Sequence, residues 1–143
     1  MIGRFFQKLR RVWKKAFKSC TFCRAVWPSR EAFIDDPALK PTGYMANFEN
    51  LELGIFLFDH LPCRTTLALT ADKFRDLYDG PVYTERKTGT DECPGYCLCK
   101  DELRPCPVEC ECAYVREVLN VIASRKIQGS ETSSARNPSG QGG

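Results

Sequence analysis

The stretch Leu51–Cys63, LELGIFLFDHLPC, decides the fold. Its first eight residues predict a β-strand over 51–58, with Leu51, Leu53, Ile55 and Leu57 on one face. The strand runs into His60-Leu-Pro-Cys63, two metal-ligand types separated by two residues. Cys20-Thr-Phe-Cys23 has the same spacing, 36 residues upstream. That spacing lets both side chains of a knuckle turn toward one ion, and two knuckles complete a tetrahedron. The expectation is a structural zinc held by Cys20, Cys23, His60 and Cys63. The alternative is a buried cysteine pair with an unrelated surface histidine.

Outward from this stretch the pattern is α+β. Ser29 is placed to cap a short helical turn over 30–35. Pro37, Pro41 and Gly43 mark a loop through 36–46. A second strand is expected over 64–69. Thr70 then caps a helix over 71–78, with Phe74, Leu77 and Tyr78 inward and Gly80 ending it. Residues 81–86 read as a third strand. Residues 88–112 are too broken by Pro94, Gly95, Pro105 and Pro107 for regular structure. Over 113–127 a second helix turns Tyr114, Val115, Val118, Leu119 and Ile122 to one side. From residue 128 the chain has little to bury and reads as a disordered tail. The expected organisation is a basic helix over 1–19, a zinc-stabilised α+β domain with a short antiparallel sheet over 20–127, and the tail over 128–143.

The broken segment carries a tandem repeat. Cys93-Pro-Gly-Tyr-Cys97-Leu-Cys99 is followed by Cys106-Pro-Val-Glu-Cys110-Glu-Cys112, both Cys-Pro-x-x-Cys-x-Cys, offset by thirteen residues. Four of these thiolates suffice for one ion, and all six could hold two through bridging sulfurs. With the first set, every one of the nine cysteines and the single histidine is used. The total expected is two to three Zn2+ ions. A disulfide-stapled hairpin is the alternative. It would require an oxidising compartment, and the start of the chain lacks the uninterrupted apolar run of a signal peptide. The expected location is therefore intracellular, in the cytoplasm and also the nucleus, not secreted. An odd number of cysteines also cannot pair completely within one chain.

Charge is distributed unevenly along the chain. Residues 1–30 hold nine basic residues and no acid, and the remainder carries a net charge of −6 inside an overall +3. Ile2, Phe5, Phe6, Leu9, Val12, Trp13, Ala16 and Phe17 fill an arc of roughly 140° on a helix predicted over 2–19. Arg4, Lys8, Arg10, Arg11, Lys14, Lys15 and Lys18 fall outside that arc. Three uses fit this arm. Its cations could neutralise RNA phosphates. Its aromatics could sink into an anionic membrane surface, with Cys20 and Cys23 as acylation sites beside it. Or its stripe could pack on the domain, leaving a solvated basic face. The segment 8–18 also has the form of a nuclear import signal.

Enzymatic chemistry finds little footing. Thiolate-rich, closed sites leave no open coordination position. His60 as a ligand cannot also serve as a base, and no other histidine exists. There is no phosphate-cradling glycine loop and no HExxH helix. The expectation is a non-enzymatic protein without a small-molecule substrate, binding RNA or a host protein. A peripheral membrane factor anchored by the arm is the second class.

A Cys-x-x-Cys, a second metal pair after a long gap and a cysteine cluster downstream resemble the first-frame proteins of sobemoviruses, zinc-binding suppressors of RNA silencing that aid virus movement. The resemblance covers the metal pairs, and the tandem repeat lies outside it. It implies a viral accessory protein acting on its host. The eight-ligand cross-brace order of a RING-type ubiquitin ligase does not fit.

Overall fold

The structure is a computed structural model. It describes the backbone of residues 16–135 and the side chains as far as Ile127. Most of the arm, residues 1–15, and the last part of the expected tail, 136–143, lie outside it.

Two antiparallel hairpins set the frame. In the first, β1 (Lys18–Ser19) pairs with β2 (Val26–Trp27), closing a loop over residues 20–25. Helix α1 (Arg30–Asp35) follows; Ser29 caps it as expected, its Oγ accepting from Ala32 N at 3.1 Å. The larger sheet has the order β3-β4-β5, with β3 Leu39–Met45, β4 Ile55–His60 and β5 Thr65–Thr70. β4 and β5 form the second hairpin, and the pair His60 and Thr65 closes its loop. A 3-10 segment over Ala71–Leu77 follows β5, a single 3-10 turn at Tyr96–Leu98 interrupts the cysteine-rich loop, and α2 (Ala113–Ala135) ends the described chain.

Several expectations are corrected. Residues 18–19, assigned to the basic helix, form strand β1 instead. Strand β4 starts only after Gly54, because Asn50 caps a 3-10 turn over Leu51–Leu53 by accepting from Glu52 N at 3.3 Å. Its core face is the opposite one: Phe56 and Phe58 are fully buried, while Ile55 and Leu57 are half-buried. Both faces of this strand are apolar, so alternation alone does not say which turns inward, and the larger phenyl groups take the core.

The loop expected over 36–46 contains β3. Pro41 is tolerated because β3 is an edge strand, and the register shifts between Pro41 and Gly43. At Gly43 a Cβ would lie 3.0 Å from Leu57 Cδ1, so a larger residue would press on that side chain of β4. Tyr44 N donates to Lys100 O at 2.9 Å, docking the cysteine-rich loop on the edge. Residues 81–86 form no strand, although Glu111 N donates to Glu85 O at 2.8 Å. The helix expected over 71–78 is instead a 3-10 segment over Ala71–Leu77. Helix α2 runs on through residues 128–135, where a disordered tail was expected.

A cluster of aromatic rings lies within the core. Phe33 meets Phe17, Trp27 and Phe58 edge-on at centroid distances of 5.6, 5.4 and 5.0 Å, and Phe74 packs against Phe17, Phe56 and Phe58. Such edge contacts add to the area the rings bury. Val115, Val118, Leu119 and Ile122 of α2 close the same core, as their spacing predicts. Lys126 joins the two helices: its Nζ donates to the carbonyls of Phe33, Ile34 and Asp36 at 3.2, 2.7 and 3.0 Å. A cation from α2 thereby satisfies the C-terminal end of α1, which has no basic residue in its own last turn.

Candidate metal centre

Each hairpin loop presents one ligand pair. In the first, Cys20 N donates to Ala25 O and Arg24 N returns to Cys20 O, both at 2.8 Å. In the second, Arg64 N donates to His60 O at 2.8 Å. Arg24 and Arg64 stand at the same place in the two loops, one residue past the second ligand, and both are left-handed, with φ of 66° and 59°. These are the only non-glycine positive φ values among the described residues. The two loops are copies of one turn, and each aims its pair at the other.

Four ligand atoms meet between them. The sulfurs of Cys20, Cys23 and Cys63 and a ring nitrogen of His60 all lie within 4.8 Å of one another. Cys20 Sγ is 3.7 Å from Cys63 Sγ, Cys23 Sγ is 3.5 Å from His60 Nδ1, and Nδ1 is 3.2 Å from Cys63 Sγ. A tetrahedral zinc with ordinary bond lengths has edges of about 3.8 Å between sulfurs and about 3.6 Å from sulfur to nitrogen. The set therefore fits a tetrahedral ion in both donor type and spacing. Among the described residues it is the only group of three or more metal-ligand side chains gathered this closely.

The centre is rooted in the core on one side and exposed on the other. Cys20 is 1% exposed and His60 5%, whereas Cys23 is exposed. Trp27 connects the site to the core. Its ring meets His60 edge-on at 5.1 Å and Phe33 at 5.4 Å, while Nε1 donates to Asp36 Oδ2 at 2.8 Å. The backbone N–H of Cys23, helped by that of Phe22 and by the neighbouring sulfurs, outweighs burial and lowers the Cys20 thiol from 9.0 to about 6. The thiolate is the form that binds metal.

The second cysteine set is gathered only in part. Cys112 Sγ lies 3.6 Å from Cys97 Sγ and 3.2 Å from Cys110 Sγ. Backbone N–H groups approach two sulfurs of the set: Lys87 N donates to Cys110 Sγ at 3.2 Å, and Gly95 N, in a left-handed turn, to Cys93 Sγ at 3.4 Å. Cys110 and Cys112 are buried, Cys93, Cys97 and Cys106 half-buried, and Cys99 exposed. All nine cysteines are free thiols.

Of the cations expected to meet phosphate, Arg4, Lys8, Arg10, Arg11, Lys14 and Lys15 lie outside the described residues. Lys18 lies on β1 and donates from Nζ to Ala68 O at 3.2 Å, on the outer edge of β5. Phe17 of the expected apolar stripe packs against Phe33 and Phe74 in the core.

Residues that sequence reasoning passed over complete the picture. Arg24 and Arg64 carry a readable signal, since both pairs continue into arginine: Cys-Thr-Phe-Cys-Arg and His-Leu-Pro-Cys-Arg. Phe22 and Leu61, 72% and 53% exposed, sit on the two knuckle loops. Arg116, fully buried in the middle of an apolar helix face, carries no such signal.

Comparison with protein-family models, curated proteins and solved structures finds no match for this chain. No helix among the described residues is long and apolar enough to cross a membrane.

Proposed function

We propose that this is a non-enzymatic, zinc-stabilised regulatory protein that works by binding RNA or a protein of its host, in the manner of a viral accessory factor. The observation that carries the reading is the closed four-ligand set of Cys20, Cys23, His60 and Cys63. It leaves no open coordination position, takes up the only histidine, and is built into the core through Trp27. A centre of this kind supplies folding energy rather than chemistry. The six remaining cysteines bring the expected zinc content to two or three.

Binding is assigned to the basic arm together with the knuckle face. The arm supplies Arg4, Lys8, Arg10, Arg11, Lys14 and Lys15, and the knuckles add Arg24, Arg64 and the exposed ring of Phe22. Cations around an aromatic suit a single-stranded nucleic acid, whose phosphates pair with the charge and whose bases stack. The features shared with sobemovirus first-frame proteins agree with suppression of RNA silencing or with virus movement as the setting.

The test replaces Arg10, Arg11, Lys14 and Lys15 together with glutamate. Affinity for single-stranded RNA should collapse and lose its salt dependence, with zinc content and thermal unfolding unchanged. A companion variant with Phe5, Phe6 and Trp13 changed to serine should keep most of its RNA affinity. If the charge-reversed variant binds RNA as well as the parent, while the serine variant loses binding to anionic phosphatidylserine vesicles, the arm is a membrane anchor and the RNA reading fails.

A further inference from the structure

The two faces of the larger sheet are unlike. Phe56, Phe58, Leu67 and Leu69 are buried on the core side. The register puts Met45, Ile55 and Thr70 in one row on the other side, with Gly43, Leu57 and Ala68 in the next. This outer face is apolar at its middle. Ile55 and Leu57 are half-buried, Met45 and Ala68 are exposed, and none of the four belongs to the packed core or to the residues lying against it. Beside Leu57 the face carries a half-buried carboxylate, Asp59, whose Oδ1 accepts from the hydroxyls of Thr42 and Thr66 at 3.2 and 2.8 Å. Lys40 stands opposite it in register, yet no ion pair accompanies Asp59 among the described residues. A sheet buries an apolar face against another element, and one left open has a partner to find.

The start of the described chain lies at the edge of this face. Lys18 donates from Nζ to Ala68 O at 3.2 Å, at the middle of the outer edge of β5, so Ala16 is only two residues from an anchored position. Residues 1–15 precede it. As a helix they would reach about 22 Å, whereas three strands span about 10 Å across. The arm is long enough to cross the whole sheet. Its chemistry matches as well. Ile2, Phe5, Phe6, Leu9, Val12 and Trp13 supply an apolar stripe, and the six cations beside it suit a face whose carboxylate has no cation of its own. The last ring of the stripe, Phe17, is already committed to the domain, against Phe33 and Phe74.

We propose that the apolar stripe of the basic arm docks on the outer face of β3, β4 and β5, over Ile55, Leu57 and Ala68, with arm cations beside Asp59. The sheet is then covered on both sides, and the remaining cations of the arm face solvent, free to meet phosphate. The docking goes beyond the RNA reading and does not depend on it. It is measured without RNA, so a failure of RNA binding leaves it standing, and a failure of docking leaves the cations of the arm in place.

The test is protection of the arm in the full chain, purified under reducing conditions, against a lysine-specific endoprotease that cuts after Lys8, Lys14 and Lys15. A docked arm is cut only while it is open, so the parent should be cut about tenfold or more slowly than a synthetic peptide of residues 1–17. Ala68→Arg, at an exposed position, should raise the rate to near that of the peptide. Phe5, Phe6 and Trp13 changed together to serine should do the same. The two changes combined should be no faster than either alone, because both abolish one contact. With p-benzoylphenylalanine in place of Met45, irradiation should crosslink position 45 to residues 1–15 within the monomer. If Ala68→Arg does not fold, the serine variant and the crosslink decide. A parent arm cut as fast as the peptide, or an unchanged rate in a folded Ala68→Arg, overturns the docking. Crosslinks between two chains give the face to a second copy, and protection that needs phosphatidylserine vesicles gives the stripe to a membrane; either result overturns it too.

Discussion

Phe33 sits at the centre of the aromatic core, and Phe22 lies out on a knuckle loop. Phe33 meets Phe17, Trp27 and Phe58 edge-on and is fully buried, whereas Phe22 is exposed on a knuckle loop. Phe33→Ala should cost about 3–5 kcal/mol in denaturant unfolding, because a cavity is left among rings that cannot collapse into it. Phe22→Ala should stay within about 0.5 kcal/mol, so any loss of RNA affinity in that variant is a loss of contact and not of fold. Lys126 has a comparable structural role through hydrogen bonds rather than area. Lys126→Met should cost about 1–2 kcal/mol, since three carbonyls at the end of α1 lose their donor and keep only partial access to water. A melting temperature unchanged in Lys126→Met would show that water replaces the ammonium group there.

The hairpin loops make a prediction about backbone. Arg24 and Arg64 occupy left-handed positions, where a β-branched residue is strained by about 1–2 kcal/mol and glycine is not. Arg24→Val and Arg64→Val should therefore weaken zinc retention against a chelator, while the glycine variants retain it as the parent does. Equal zinc loss in the glycine and valine variants would mean that the guanidinium, not the turn, supports the site. At this scale much of the sequence was legible, and the exceptions have physical causes. The ligand pairs were readable because a knuckle is a local object whose spacing its own turn dictates. The cap at Ser29 and the inner face of α2 were equally local. Strand β3 was hidden because a proline stops a central strand but not an edge, and which strand is the edge depends on partners distant in sequence. The inverted face of β4 has the same cause, since Leu57 and Phe58 are both apolar and the choice between them lies with Phe33 and Phe74. The unequal burial within the tandem repeat, with Cys112 buried and Cys99 exposed, was invisible because identical motifs dock against different neighbours.

At the level of the whole molecule, an ion held by Cys20, Cys23, His60 and Cys63 would tie the first hairpin to the second, beside the hydrogen bond from Lys18 to Ala68. A crosslink between Cys20 and Cys63 closes a loop 43 residues long, which in the chain-entropy account is worth about 4 kcal/mol. Stripping zinc should therefore unfold the hairpins and expose Trp27, seen as a red shift of its fluorescence, and readdition should reverse it. Truncation after Gly129 should leave this transition unchanged, because the residues of α2 that enter the core end earlier, with Ile122 buried and Lys126 capping α1.

The two hairpins also impose an order of events. Under the zinc reading, Cys20 and Cys63 meet one ion as β4 pairs with β5 and the first hairpin docks through Trp27, so native coordination is completed together with folding. Until then nine thiols compete for the same metal, and an unfolded chain binds it in combinations the folded one does not use. Zinc offered to the denatured chain should thus act as a kinetic trap, and zinc offered after dilution from denaturant as a lock. Refolding yield should depend on when the metal arrives as well as on how much is present. In a cell, newly made copies would mature correctly only where free zinc is kept scarce.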